Sequence, residues 1–550
     1  MRAFPKVQYF NDFTGGLNNK SARQSLLPNE SPDCQDVVFN ARGGFSSRPG
    51  VAYSDELYWS PSTDSGVIVC GSAFNGSTEY MFGLTGQGRV WEWDGSSAPY
   101  RSTSTTTEAS MFSARPNHAL WKEHIYFADW VDSTSNVLKM VKYQVGTHSL
   151  SVLTNTANNN YTLPTGGNAP LARHVANHSG HMWWADTTEG GTRFPSRVRF
   201  SHPLQPEDFA DADYFDIFPE GEGNPITALV SFQDMLLVFK RKGVFAIYGY
   251  DRSTFVVQQL STVAGTPSHY AVDSNSGVCY WWSNDGNVYA FNGRGVVPVG
   301  ERISGVVNEK KIVDLNDWYT NTYVVWSGSQ LLVSLALNNE DHMCFMYDPA
   351  IGKTGAWTKY SLKITSMMFW RSTDVDSRGV YMTLGDGVNG YNTGLYNMID
   401  PDVATDEFDS GVFTAIPAYY KMAWFVGQDS ATSKRWRRPR ITVASTNTGD
   451  MSLGIYYDFN ESSAHKTMVL PVTIETTGGS MVWDDGTGTV GSDWDAAAWA
   501  GNADDPSFEF LKGASIGRSH AILLKFQMPN HGYRWWVDSF SVPYVDKSYR

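Results

Sequence analysis

The chain repeats itself. The residues LTGQGRVWEWDG at 84–95 align without a gap on WSNDGNVYAFNG at 282–293. Each copy reads as the end of an apolar strand, a Gly-containing turn, then an alternating strand that closes on Asp-Gly or Asn-Gly. Val90, Trp91 and Trp93 carry the alternation in one copy, and Val288, Tyr289 and Phe291 in the other. Strand side chains alternate between faces, and Asp-Gly or Asn-Gly supplies the positive φ of a tight turn, so the shared unit is a β-hairpin followed by another turn. A third copy, MLLVFKRKGVFAIYG at 235–249, keeps the pattern, and looser copies begin near His124, His181, Leu331 and Val380.

With starts near residues 80 and 278 included, the seven copies recur about every fifty residues. That length holds four strands of about five or six residues with their turns. Repeating four-stranded sheets radially is how a propeller protects its strand edges. A solenoid has a shorter period, and tandem sandwiches need about 100 residues per unit. The spacing therefore predicts an all-β chain in which residues 61–405 form a β-propeller of about seven blades, with 1–60 as an N-terminal arm or strand leading into it. The competing reading is a set of unrelated hairpins in a large irregular β protein. Beyond about residue 410 the pattern changes, and 406–550 reads as a C-terminal antiparallel β-sandwich. Its strand candidates are 413–425, 451–457, 467–475, 520–528 and 533–545, with a Gly-, Asp- and Trp-rich loop at 478–505.

A chain of 550 residues exceeds the size at which one core keeps growing, so at least two bodies are expected. Hydrophobic residues at 41% against 18% charged exclude wholesale disorder. Cys34, Cys70, Cys279 and Cys344 lie far apart with no metal-ligand spacing, so they read as free thiols. The N-terminus lacks a signal-like apolar run and no stretch is long enough to span a membrane, which points to synthesis in a cytoplasm. A formal net charge of −14 argues against general attraction to nucleic acid, although it suits a surface past which DNA slides.

Chemical signatures are sparse. No P-loop, HExxH, EF-hand loop or Rossmann fingerprint occurs. Gly513-Ala-Ser-Ile-Gly517 matches GxSxG, but a strand-like run follows it where a nucleophile elbow needs a helix. Asp484 with Asp485, and Asp493 with Asp495 around Trp494, sit in a turn-rich loop and read as solvated turn acids rather than a glycosidase pair. Ser283-Asn-Asp-Gly286 begins like a sialidase turn and lacks the continuation. His174, His178 and His181 come nearest to metal spacing, with aromatic strand packing the simpler account. Trp91, Trp93, Trp281 and Trp282 would be sugar platforms in a carbohydrate-binding or glycoside-hydrolysing propeller, yet their alternation favours packing inside blades. The basic run KRWRRPR at 434–440 reads either as a nucleic-acid site, phosphate contacts plus a stacking Trp, or as a charge-protected edge strand or contact to an acidic subunit. No catalytic, cofactor or metal residue is assigned, and the chain is read as a non-enzyme.

Several segments, in order along the chain, resemble phage tail nozzle proteins, also called tail tubular protein B, of short-tailed phages. They are FNDFTGGLN at 10–18, LPNESPDCQ at 27–35, DVVFN at 36–40 and RGGFSSRPG at 42–50. Further along come Arg197-Val-Arg-Phe-Ser201, Asp216-Ile217, LLVFK at 236–240, Val244 to Gly249, Trp494-Asp495 with Trp499, and Gly517-Arg518. The resemblance implies a structural virion protein in the tail, below the portal and adaptor rings. It would self-associate as a ring, in such proteins a hexamer, form the distal conduit and closure for double-stranded DNA at ejection, and adjoin head–tail connector proteins and tail fibres or spikes. Well-known nozzles are considerably longer, so a hub, terminator or fibre-docking ring is the alternative place. In the N-terminal segment Gly15-Gly16 and Gly43-Gly44 allow positive-φ turns and Arg48-Pro49 stiffens the exit. The segment reads either as a strand pair closing the propeller or as an arm reaching a neighbouring subunit.

Overall fold

The computed structural model describes residues 5–56, 68–85, 89–95, 99–101, 116–131, 138–153, 171–210, 212–218, 223–275, 277–309, 322–336, 342–372, 377–384, 394–398, 403–409, 412–445, 449–472, 509–512, 514–527 and 534–546. It is nearly all β, 59% strand against 3% helical. The chain forms two compact units, one of residues 52–346 and 362–399, the other of 1–51, 347–361 and 400–550.

The first unit is a β-propeller with six separate four-stranded antiparallel blades, whose first strands are Ile68–Asn75, Asn117–Trp121, Leu171–His178, Ile226–Phe232, Val272–Ser274 and Ile364–Trp370. The sequence copies fall on the second and third strands. Leu84 ends a second strand opposite Val90, and Trp282 ends another opposite Val288, so the gap-free match is a match of register. The copy at Met235 follows suit, with Phe239 opposite Val244. About seven blades were expected from spacing. Six stand as separate sheets, and the copy at Leu331 lies on Leu331–Ala336 among the strands Tyr323–Trp326, Leu331–Ala336 and His342–Asp348, between the fifth blade and the closing one. There the Trp326 N–H donates to Asp273 Oδ2 (2.7 Å) and the Ser334 hydroxyl to the Ile364 carbonyl (2.9 Å).

Second strands such as HMWWAD and MLLVFK are buried throughout and mostly apolar because both faces are covered. Ile125 and Phe127 face the first blade while Tyr126 and Ala128 face the third. Trp183 and Ala185 face the fourth blade while Met182 and Trp184 face the second. Trp370 and Tyr381 of the closing blade pack on Met81 and Trp91 of the first, which completes the circuit. The closing blade takes its outermost strand, Ala52–Glu56, from the other end of the sequence. Tyr53 lies opposite Tyr396 and Ala52 opposite Asn397, whose amide donates to the Ser54 hydroxyl (2.5 Å).

In the second unit, the strand Trp535–Asp546 pairs with Lys6–Phe10, Phe45–Ser47, Lys434–Trp436 and Arg440–Ser445. Another sheet runs, in order, Ala356–Tyr360, Asp33–Gln35, Tyr419–Lys421, Ile522–Gln527, Gly449–Tyr457 and Lys466–Val472. Aromatic rings join the two sheets, Phe45 on Tyr420 at 4.5 Å and Phe526 on Phe540 at 4.9 Å. The single long strand expected over 413–425 is instead two, Val412–Ala415 and Tyr419–Lys421, in different sheets. Pro417 between them has no N–H to give a ladder. The loop expected at 478–505 lies outside the described residues.

Residues 5–51 fold within this second unit, fixed there by Arg48. Its side chain is fully buried, with Nε donating to Asp36 Oδ1 and the two terminal nitrogens to the two oxygens of Asp406, all at 2.7 Å. Burial pushes the guanidinium pKa down, but the two carboxylates outweigh it and hold it above its ordinary value. Asp36 also accepts from the Ser361 N–H (2.9 Å) and Asp406 from the Val51 N–H (3.1 Å), so one triad ties four segments. Gly50 follows because a Cβ there would stand 1.9 Å from the Thr405 carbonyl oxygen. Removing one partner of a buried ion pair leaves uncompensated charge at a cost of about 3–5 kcal/mol. Arg48→Met is therefore expected to lower the stability of this unit by that amount in urea unfolding, while Arg252→Gln, on a side chain 60% exposed, changes stability by no more than about 0.5 kcal/mol.

Candidate functional site: the axial cavity

Where the first strands of the blades converge they enclose a cavity of about 540 Å³. Ser72, Asn117, Asn177, Ser231, Asp273 and Met368 each come to its wall from a different blade. First strands alternate between packing on a neighbouring blade and facing this space, so the lining is mixed polar and apolar. The volume suits a small molecule. It is far too small for duplex DNA, whose major groove alone is about 12 Å wide.

Few charged groups face the cavity. Burial pushes the Asp273 carboxyl up to about 6, against the backbone N–H groups of Trp326 and Ser274 (2.7 Å each) that stabilise its ionised form. Arg371 of the closing blade is the nearby cation that also favours ionisation. Burial pushes His118 down to about 4, with its ring set edgewise on Phe82 at 5.1 Å. It is a neutral wall residue at pH 7. The Tyr270 hydroxyl donates to the Pro116 carbonyl (2.9 Å) and lies 3.7 Å from Cys70 Sγ.

One contact has the elements of nucleophilic chemistry. His178 Nδ1 lies 2.8 Å from Ser231 Oγ, bridging the third and fourth blades. The other ring nitrogen meets the Ser179 hydroxyl (3.1 Å), not a carboxylate that would hold the imidazole as a base. Sequence reasoning missed this pair because its members are 53 residues apart on different blades. Only the common blade period, which places His178 and Ser231 near the ends of first strands, carried a signal.

The residues singled out in the sequence scatter. His181 packs edgewise on Phe200 and Phe255, at 6.0 and 5.7 Å, while His174 faces His269 at 6.1 Å. Among the described residues no three His, Cys, Asp or Glu side chains converge as metal ligands. Trp91, Trp281 and Trp282 are fully buried, and Trp93 packs on Trp370 at 5.8 Å. Trp91 and Trp281 each donate Nε1–H to a carbonyl, Ile68 at 3.1 Å and Ala264 at 3.0 Å. Ser515 is followed by the strands Gly517–Ser519 and Ile522–Gln527, and so lacks the helix of a nucleophile elbow. Asp484, Asp485, Asp493, Trp494, Asp495 and Trp499 lie outside the described residues. Arg197 and Arg199 clothe the third blade. Arg197 lies 3.9 Å over both Phe194 and Tyr214 and pairs with Asp216, while buried Arg199 pairs with Glu189 at 2.6 Å. No family model matches the sequence, and no curated protein is significantly similar to it.

A carboxyl that titrates near 6 when folded and near 3.9 when unfolded binds more protons in the folded state between those values. Its contribution is full below about pH 4 and is lost as pH rises to about 6. The stability of the wild type relative to Asp273→Asn is therefore expected to fall across pH 4–6 and level off above it. The fall is about 3 kcal/mol at most, less with solvent screening in the cavity. Urea unfolding of both proteins at matched pH reads this difference, and the opposite slope of His118 cancels because both proteins carry it.

Proposed function

We propose that the chain is a non-enzymatic structural protein of a phage tail, forming a ring at the distal end that acts as nozzle, conduit and closure for genome DNA. The observation that carries this reading is where the nozzle-like motifs fall. Arg48 and Gly50 of RGGFSSRPG, Asp36 of DVVFN, and Arg197, Arg199 and Asp216 of the middle motif are residues that tie elements together. A likeness lodged in such positions is one of architecture. The strands between the fifth and closing blades serve in this reading as the seventh blade, and the two sheets of the second unit as a sandwich.

The axial cavity cannot pass a duplex, so the conduit lies between copies of the chain around a sixfold axis. Net acidity keeps DNA from adhering to its wall. The outermost strand of the fourth blade, Val256–Ser261, presents an open edge with Val256 60% exposed, beside Val263 at 64%, and supplies apolar surface for lateral contact. Connector proteins above and fibres or spikes at the rim are the further partners. The protein is made in the host cytoplasm and resides in the virion tail.

Electron microscopy of purified virions with labelled protein is expected to show the label at the tail tip in a sixfold ring. A lone monomer absent from virions sinks the proposal, and a ring at the head-proximal end supports the hub or terminator place. Ester and glycoside substrates are expected to show no turnover above that of Ser231→Ala.

A further inference from the structure

The basic run at 434–440 is not the charge-protected edge strand that its sequence allows. Its strand, Lys434–Trp436, is not an edge, because Trp535–Asp546 pairs with it on one side and Gly517–Ser519 on the other. Nor does it offer a base-stacking platform, since Trp436 is fully buried and donates Nε1–H to the Ser519 hydroxyl (2.8 Å). Lys434 is buried as well, its ammonium donating to the carbonyls of Asp429 and Thr432. What remains outside is arginine.

The local backbone gathers these arginines. Trp436 lies opposite Tyr544 and Arg440 opposite Ser541, four steps on one strand against three on its partner. The extra residue is a bulge, which breaks the alternation and turns two successive side chains the same way. Arg435, Arg437, Arg438 and Arg440 are consequently all exposed, while Trp436 and Pro439 between them are buried. The four line a cleft of about 550 Å³ with Pro5, Val7, Ser515 and Pro543, a wall without a carboxylate among the described residues. Arg435 also stands directly opposite exposed Arg518 on the neighbouring strand. Like charges in that position repel.

Several arginines elsewhere are paired. Arg48, Arg193, Arg197 and Arg199 each hold a carboxylate. Among the described residues none of the four arginines lining this cleft has a side-chain hydrogen bond or ion pair, in a protein with a net charge of −14. Guanidinium forks match phosphate oxygens two at a time, and a cleft of this size takes a compact ligand.

We infer that this cleft is a binding site for an oligophosphate, a small molecule with two or more linked phosphate groups, which the arginines grip by its phosphates alone. This does not depend on the tail reading. Because the Trp436 indole is buried, the group attached to the phosphates goes unread.

Isothermal titration of the full chain tests this with inorganic tripolyphosphate, ATP, a poly-glutamate peptide and a short DNA duplex. Tripolyphosphate and ATP are expected to bind with affinities within about threefold of each other. Both are expected to weaken at least tenfold in Arg437→Gln/Arg438→Gln, and by less in the double lysine variant, which keeps charge without the fork. These side chains are exposed, and unchanged circular dichroism verifies folding. The inference is overturned if neither phosphate binds, if the glutamine variant binds as the wild type does, or if poly-glutamate or the duplex binds more tightly than tripolyphosphate. A preference of ATP over tripolyphosphate beyond tenfold overturns the claim that phosphates alone are read.

Discussion

Each middle strand of the propeller serves two cores at once, and most of the fold follows from that. In a sheet standing between two others, odd and even residues face different neighbours, so both sets are buried and mostly apolar. Ile125 and Phe127 belong to one interface and Tyr126 and Ala128 to the next, and the same division recurs at Trp183 and Trp184. A one-residue slip would exchange the two interfaces wholesale, which fixes register as firmly as in a sheet with a single buried face. Bulges absorb the mismatch where a strand must turn, as between Phe127 and Trp130 and between Ala185 and Thr187.

That constraint explains how much could be read in advance. The hairpin of second and third strands has a local signature, apolar strand, Gly turn, strand, so it repeats visibly and its register survives in the sequence. First strands face the cavity on one side and carry a looser pattern, exemplified by LARHVANH, so the cavity was not legible. Ring closure by Ala52–Glu56 has no local signal, since Tyr53 and Tyr396 are matched only by meeting. Nor do residues near 359 announce that they run beside Gln35 in parallel. The basic run was conspicuous, but its meaning depended on which side chains the sheet buries, and a bulge of one residue decides that.

Charge is used in two opposite ways. Inside, Arg48 and Arg199 act as ties, Arg48 held by two carboxylates and Arg199 by that of Glu189, whose geometry the fork matches. Outside, the row from Arg435 to Arg440 is left open. Burying an unpaired guanidinium is costly and exposing one is not, so the first class constrains the fold while the second is available to solvent and ligands.

Closure by a distant strand also imposes a timetable. Ser54 and Asn397 are separated by 343 residues, and at 5–20 residues per second a ribosome needs roughly 20–70 s to pass from one to the other. Through that interval successive blades can dock on those already made, because each packs on its neighbour in sequence. The strand awaiting its partner cannot pair. The nascent propeller is thus an open arc with a bare seam, and contacts of such high sequence separation form late and slowly. Its passage from arc to ring comes as the last strands emerge, and any chaperone that guards this chain has that seam to guard.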